Sequence, residues 1–120
     1  MWRFATAAWA AVILFASVVP IAPSLAPGRL DKLYHVCEYL LLGWLLVPSW
    51  PWERGRARAQ IQAWMVATCF GLLIEGIQSL LPWRSGDWVD AAANGLGALF
   101  GVIAWLIPLA LLRPQQAIRR

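Results

Sequence analysis

The chain is short of charge. Only 13% of its 120 residues are Asp, Glu, Lys or Arg, about half the share of a soluble domain, whereas 61% are hydrophobic. That balance excludes an ordinary water-soluble globule and points to a single small membrane domain. Cysteine is scarce as well. Cys37 and Cys69 lie in apolar runs without the paired spacing of a zinc or redox motif, so both read as small buried hydrophobes. Serine chemistry lacks its motif: no GxSxG is present, and Ser24, Ser49, Ser79 and Ser85 have no adjacent base in sequence. No HExxH or similar compact ligand set occurs, so neither a resident metal nor another cofactor is expected, although His35, Glu38, Glu75 and Asp90 carry suitable ligand atoms. No glycine-rich phosphate cradle supports nucleotide use, and no repeat or low-complexity stretch appears.

What remains is mostly apolar and aromatic, with nine Trp. Four apolar segments stand out, Phe4 to Ile21, Leu33 to Trp50, Ile61 to Leu81 and Trp88 to Leu112, each near the ~20 residues that cross a bilayer as a helix. Turn-forming residues connect them: Pro23 to Arg29, then ProTrpGluArgGly, then ProTrpArgSerGly. Trp2, Trp50, Trp52, Trp83 and Trp88 sit at segment ends, where interfacial aromatics gather. The expected fold is all-α, one domain over residues 1–120, an integral membrane bundle of four transmembrane helices with short loops and antiparallel neighbours. The first segment resembles a signal peptide, but cleavage after Ala26 would place Pro27 beside the cut, so an uncleaved helix is expected.

The net charge of +4 does not call for a nucleic-acid partner, because the basic residues gather between Glu53 and Arg58 and over Arg113 to Arg120. One set of helix ends holds Arg3, Arg54, Arg56, Arg58, Arg113, Arg119 and Arg120; the other holds Arg29, Lys32 and Arg84. The positive-inside rule then predicts cytoplasmic termini and outward-facing first and third loops.

Against this background six polar side chains, His35, Glu38, Glu75, Gln78, Asp90 and Asn94, interrupt the apolar runs. Charge in hydrocarbon costs about 2.5–3.5 kcal/mol even on insertion scales, so such residues face a bundle interior and mark a site. Counting from Lys32, Pro82 and Asp87 at 1.5 Å per residue puts His35, Glu38, Gln78, Glu75 and Asn94 about 4–10 Å into the outer leaflet. Pairs three and four apart share a helix face: His35 with Glu38, Glu75 with Gln78, and Asp87, Asp90 and Asn94 together. The last stripe continues to Gly97 and Gly101, a GxxxG pair that suits close helix packing within or between chains, and Gly71 stands one turn before Glu75. Thr68 can satisfy its hydroxyl on its own helix.

Two stretches carry a family resemblance. DKLYHVCEYLLLG, Asp31 to Gly43, resembles the Asp-Lys-x-x-His-x-x-x-Tyr-x-x-x-Gly signature of VanZ-like membrane proteins. EGIQSLLPWRSGDWVDAAANGLGALFG, Glu75 to Gly101, resembles their second signature of Glu-x-x-Gln, Pro-x-Arg, Asp-x-x-x-Asn and paired glycines. The resemblance implies a small multi-span protein of the bacterial cytoplasmic membrane. It also implies a link to the cell envelope, since the family is named for a protein that raises teicoplanin resistance. It adds Asp31, Lys32, Tyr39 and Arg84 to the site.

Three readings of that site compete. In the first, Lys32, His35 and Arg84 hold an anionic phosphate or carboxylate of a membrane lipid or lipid-linked cell-wall precursor, with apolar spans accepting its chains. In the second, Glu75 and His35 perform acid–base chemistry on an envelope lipid. In the third, Glu75, Gln78, His35 and Asn94 bond one another and only fix helix register. At the water interface, Asp31, Lys32, Arg84 and Asp87 could simply form loop salt bridges and caps, and Asp87 is placed to cap the fourth helix.

Overall fold

The computed structural model describes residues 1–20, 29–50 and 55–107. Within them are four helices and no strand: α1 (Trp2–Val18), α2 (Arg29–Leu46), α3 (Arg56–Gln78) and α4 (Trp88–Ala104), with a 3₁₀ turn, Val47–Ser49, after α2. The junction after Ala26 where cleavage is not expected, the first loop up to residue 28, Trp52, Glu53, Arg54, the Arg113–Arg120 tail and the far end of the fourth segment lie outside the described residues.

Local chemistry sets the helix ends. Pro20 drives Val19 into extended backbone (φ −73°, ψ 136°), and α1 stops there. Pro48 tightens the end of α2 into the 3₁₀ turn. Gly55 precedes α3 with φ 93°, a conformation that suits glycine. At the other end of α3, Leu80, Leu81 and Arg84 donate three residues back, to Ile77, Gln78 and Leu81, in the turn around Pro82. Asp87 caps α4, its side chain accepting from Val89 N–H at 2.8 Å.

These ends correct the sequence boundaries. α2 begins at Arg29 and α3 at Arg56, because a polar first turn extends each helix beyond its apolar stretch; Lys32 therefore lies inside the first turn of α2. α2 and α3 also finish earlier than hydropathy suggests, at Leu46 and Gln78.

α2 and α4 form the tightest pair and run parallel. Lys32 meets Asp90 at one end, and the Trp44 and Trp105 rings stack 5.4 Å apart at the other. Between them the backbones touch through glycine. A Cβ on Gly97 would overlap the Val36 carbonyl oxygen, one on Gly101 the Leu40 carbonyl, and one on Gly43 would lie 2.5 Å from the Ala98 carbonyl. α3 runs antiparallel to α4: Trp64 Nε1 donates to Gly95 at 3.0 Å near the middle, and Asp87 N to Glu75 Oε2 at the same distance near the end. Its buried face is small, with Ala59, Ala63, Ala67 and Gly71 recurring every fourth residue. α1 runs antiparallel to α2, Thr6 bonding Leu45 and Ser49 while Trp9 donates to the Glu38 carbonyl at 2.9 Å.

The bundle has an apolar core, with Ile13, Tyr39, Leu42 and Val47 buried, and its outer surface is apolar as well. Ser17, Glu75, Gln78, Asp90 and Asn94 are buried, whereas Phe4, Phe15, Leu73, Leu80 and Phe100 stand exposed. In water this arrangement would be unfavourable, since exposed apolar area costs about 25 cal/mol per Å². Among the described residues, one helix, α3, is long and apolar enough to cross a membrane, and α1 and α4 are apolar but shorter. Both cysteines are exposed, correcting their expected burial: residues 37 and 69 fall on the outer faces of α2 and α3, beside exposed Leu33, Leu40 and Leu73.

Candidate functional site

The polar side chains gather at the end of the bundle where α2 and α4 begin and α3 ends. Asp87 does three things there. Its Oδ1 caps α4, its Oδ2 accepts from Lys32 Nζ at 3.1 Å, and its backbone N–H donates to Glu75 Oε2 at 3.0 Å. Lys32 also reaches Asp90 Oδ1 at 2.7 Å, so one ammonium ties the start of α2 to two carboxylates of α4. The Val89 N–H and then the Lys32 ammonium hold the Asp87 carboxyl below the usual aspartate range.

His35 is held on both sides. Its Nδ1 donates to Asn94 Oδ1 at 3.0 Å, and its Nε2 lies 3.9 Å from Asp90 Oδ2. Asp31 joins this group, one ligand atom from each of Asp31, His35 and Asp90 falling within 4.8 Å of the others. The spacing would suit a cation, yet Asp90 already accepts from Lys32, so the chain itself supplies a positive charge there.

Deeper in, three buried polar atoms have no hydrogen-bond partner among the described residues: Glu75 Oε1, Asn94 Nδ2 and Tyr39 Oη. Unpaired groups of this kind are uncommon in packed interiors. Tyr39 and Asn94 both crowd Gly71, where a Cβ would lie 3.1 Å from Tyr39 Cε1 and 3.2 Å from Asn94 Nδ2. Glu75 is 8% exposed and lines a groove of about 260 Å³ between the end of α3 and the start of α4. Leu72 and Trp88 form its apolar walls, Ser79 and Asp87 add polar atoms, Gly76 adds open space, and Gly86 packs against α3, where a Cβ would lie 2.9 Å from the Glu75 carbonyl oxygen.

Other expected site residues serve a second cluster. Gln78 Nε2 donates to Ser17 O at 3.2 Å, Trp83 Nε1 to Val18 O at 3.1 Å and Arg84 to Ala16 O at 3.0 Å. Together they satisfy the orphan carbonyls at the end of α1. Arg84 thus bonds backbone, and Gln78 bonds neither Glu75 nor His35. Glu38 is half-buried, its backbone carbonyl taken by Trp9. Thr68 Oγ1, which could have bonded its own helix, is buried beside Gly95 without a hydrogen-bond partner among the described residues. Sequence reading missed the groove's small residues. Gly76 directly follows Glu75 and Gly86 directly precedes Asp87, which is the signal that could have found them.

Neither a curated protein nor a solved structure matches this sequence. A family model does: VanZ/LLP1 matches residues 2–112, both signature stretches included. With the polar end of the bundle built from those two stretches, the chain belongs to the VanZ/LLP1 family.

Proposed function

We propose that this chain is a multi-span protein of the bacterial cytoplasmic membrane that recognises the headgroup of an envelope lipid or lipid-linked cell-wall precursor at its polar end. The observation that carries this reading is the groove beside Glu75. A buried carboxylate with one unpaired oxygen meets apolar walls, Leu72 and Trp88, that open onto an apolar exterior. A polar recess at the edge of hydrocarbon suits an amphiphile better than a freely soluble metabolite. The apolar outer surface of the bundle supports four spans, and the arginine bias favours cytoplasmic termini with the polar end outside. A link to teicoplanin resistance would follow if the site handles acylated ligands, since teicoplanin carries a fatty acyl chain.

Acid–base chemistry is the alternative, favoured by one observation: His35 is oriented by Asn94 and Asp90 as a general acid or base would be. A single experiment separates the readings. Envelope lipids from cells with and without the chain are compared by mass spectrometry, alongside Glu75→Gln and His35→Ala. A new lipid species that disappears in both variants means an enzyme. An unchanged lipid profile, with lipoglycopeptide sensitivity altered by the chain and restored in Glu75→Gln, is the expected result for a binder. Should both variants act like the parent in every assay, the polar end is structural only.

A further inference from the structure

We infer that the groove between α3 and α4 takes the primary ammonium of an ethanolamine-type membrane lipid rather than a phosphate. This deepens the headgroup reading above and rests on it.

The hydrogen-bonding inventory of the groove carries the inference. Among the described residues its polar side chains are Glu75, Asp87 and Ser79, and no described Lys, Arg or His side chain lines it. Ser79 spends its proton on the Gly76 carbonyl at 2.7 Å, so its oxygen is left to accept. The Asp87 N–H is already given to Glu75 Oε2. The groove therefore offers acceptors: two carboxyl groups and one hydroxyl oxygen. A primary ammonium brings three N–H donors, whereas a quaternary choline brings none and a phosphate brings further negative charge.

Among the described residues, three features that would otherwise draw an anion are engaged. The start of α4 is a natural anion site, but Asp87 caps it and its Val89 and Asp90 N–H groups are bonded. The Lys32 ammonium is shared by Asp87 and Asp90. Arg84 bonds Ala16 at the end of α1. The walls explain why the amine should arrive on a lipid: Leu72 and Trp88 line the groove and are themselves exposed, Trp88 by 84%, beside exposed Leu80 and Trp83.

Gly76 provides the test. It lies in α3, lines the groove, and a Cβ built on it meets nothing within 4 Å, so Gly76→Leu adds bulk at the groove with no clash at Cβ. The full chain, purified in detergent, is offered equal amounts of phosphatidylethanolamine, phosphatidylcholine and phosphatidylglycerol with identical acyl chains, and retained lipid is read by native mass spectrometry. Preferential retention of phosphatidylethanolamine is expected, abolished by Gly76→Leu and cut roughly tenfold by Glu75→Gln as a charge-assisted bond is lost. Preferential phosphatidylglycerol retention that Gly76→Leu abolishes would overturn the ammonium inference while leaving the headgroup site standing. Phosphatidylethanolamine retention unaffected by Gly76→Leu would overturn the groove assignment. Equal retention of all three lipids by parent and variant would overturn both readings.

Discussion

At the scale of single residues, Asp87 has the most partners: a helix N-terminus, a lysine and, through its backbone, a buried glutamate. Because its carboxyl is held below the ordinary aspartate value of about 3.9, the stabilisation it gives is complete above that value and is lost as pH falls through the lower folded-state one. Asp87→Asn keeps a capping oxygen but cannot titrate. Thermal unfolding followed from pH 5 down to pH 2 is expected to show the parent losing stability more steeply than the variant; parallel curves would mean that the Asp87 charge, held by Val89 N–H and then Lys32, contributes nothing. Arg84 gives the opposite lesson about residue identity. Its charge invites a ligand, yet the end of α1 had carbonyls to satisfy, and a spacing argument within α3 and α4 cannot reveal what a third helix needs.

Among the elements, α2 and α4 form a pair with its own logic. The stripe from Asp90 through Asn94 to Gly97 and Gly101 is legible in the sequence because it repeats at the helical period. What it meets is not legible, since a face does not name its neighbour; the contact with Val36 and Leu40 belongs to tertiary structure. Gly97→Ala drives a methyl into a backbone carbonyl that cannot swing aside, so a loss of about 1–3 kcal/mol is expected. Gly76→Ala, in open space on α3, should instead gain about 0.5–1 kcal/mol from reduced chain entropy. Reversible unfolding in mixed micelles measures both, and equal effects would mean that the α2–α4 contact is not close. Helix ends were the least readable part of the elements. Hydropathy marks where apolar residues stop, whereas helices stop where hydrogen bonding does, as at Pro20, Pro48 and Pro82. The outward cysteines follow from the same gap, because an apolar residue type reports affinity for oil and not which side the oil is on.

For the whole molecule, the family was readable from two short stretches, since they place His35, Glu75, Asp90 and Asn94 at fixed helical intervals, and the family model covers both. Legibility ended at partnering: one of the three competing readings of the site had Gln78 bonding Glu75 and His35, and it bonds Ser17 on α1 instead. The Lys32–Asp90 bond, closed across 58 positions of sequence, also has a consequence in the order of synthesis. On the four-span reading proposed above, the ribosome delivers α2 long before α4, so Lys32 and His35 would reach the membrane before Asp87, Asp90 and Asn94, which later bond them. On that reading a nascent chain arrested before residue 88 is expected to hold α2 less firmly than the full chain, and to be removed by membrane quality control.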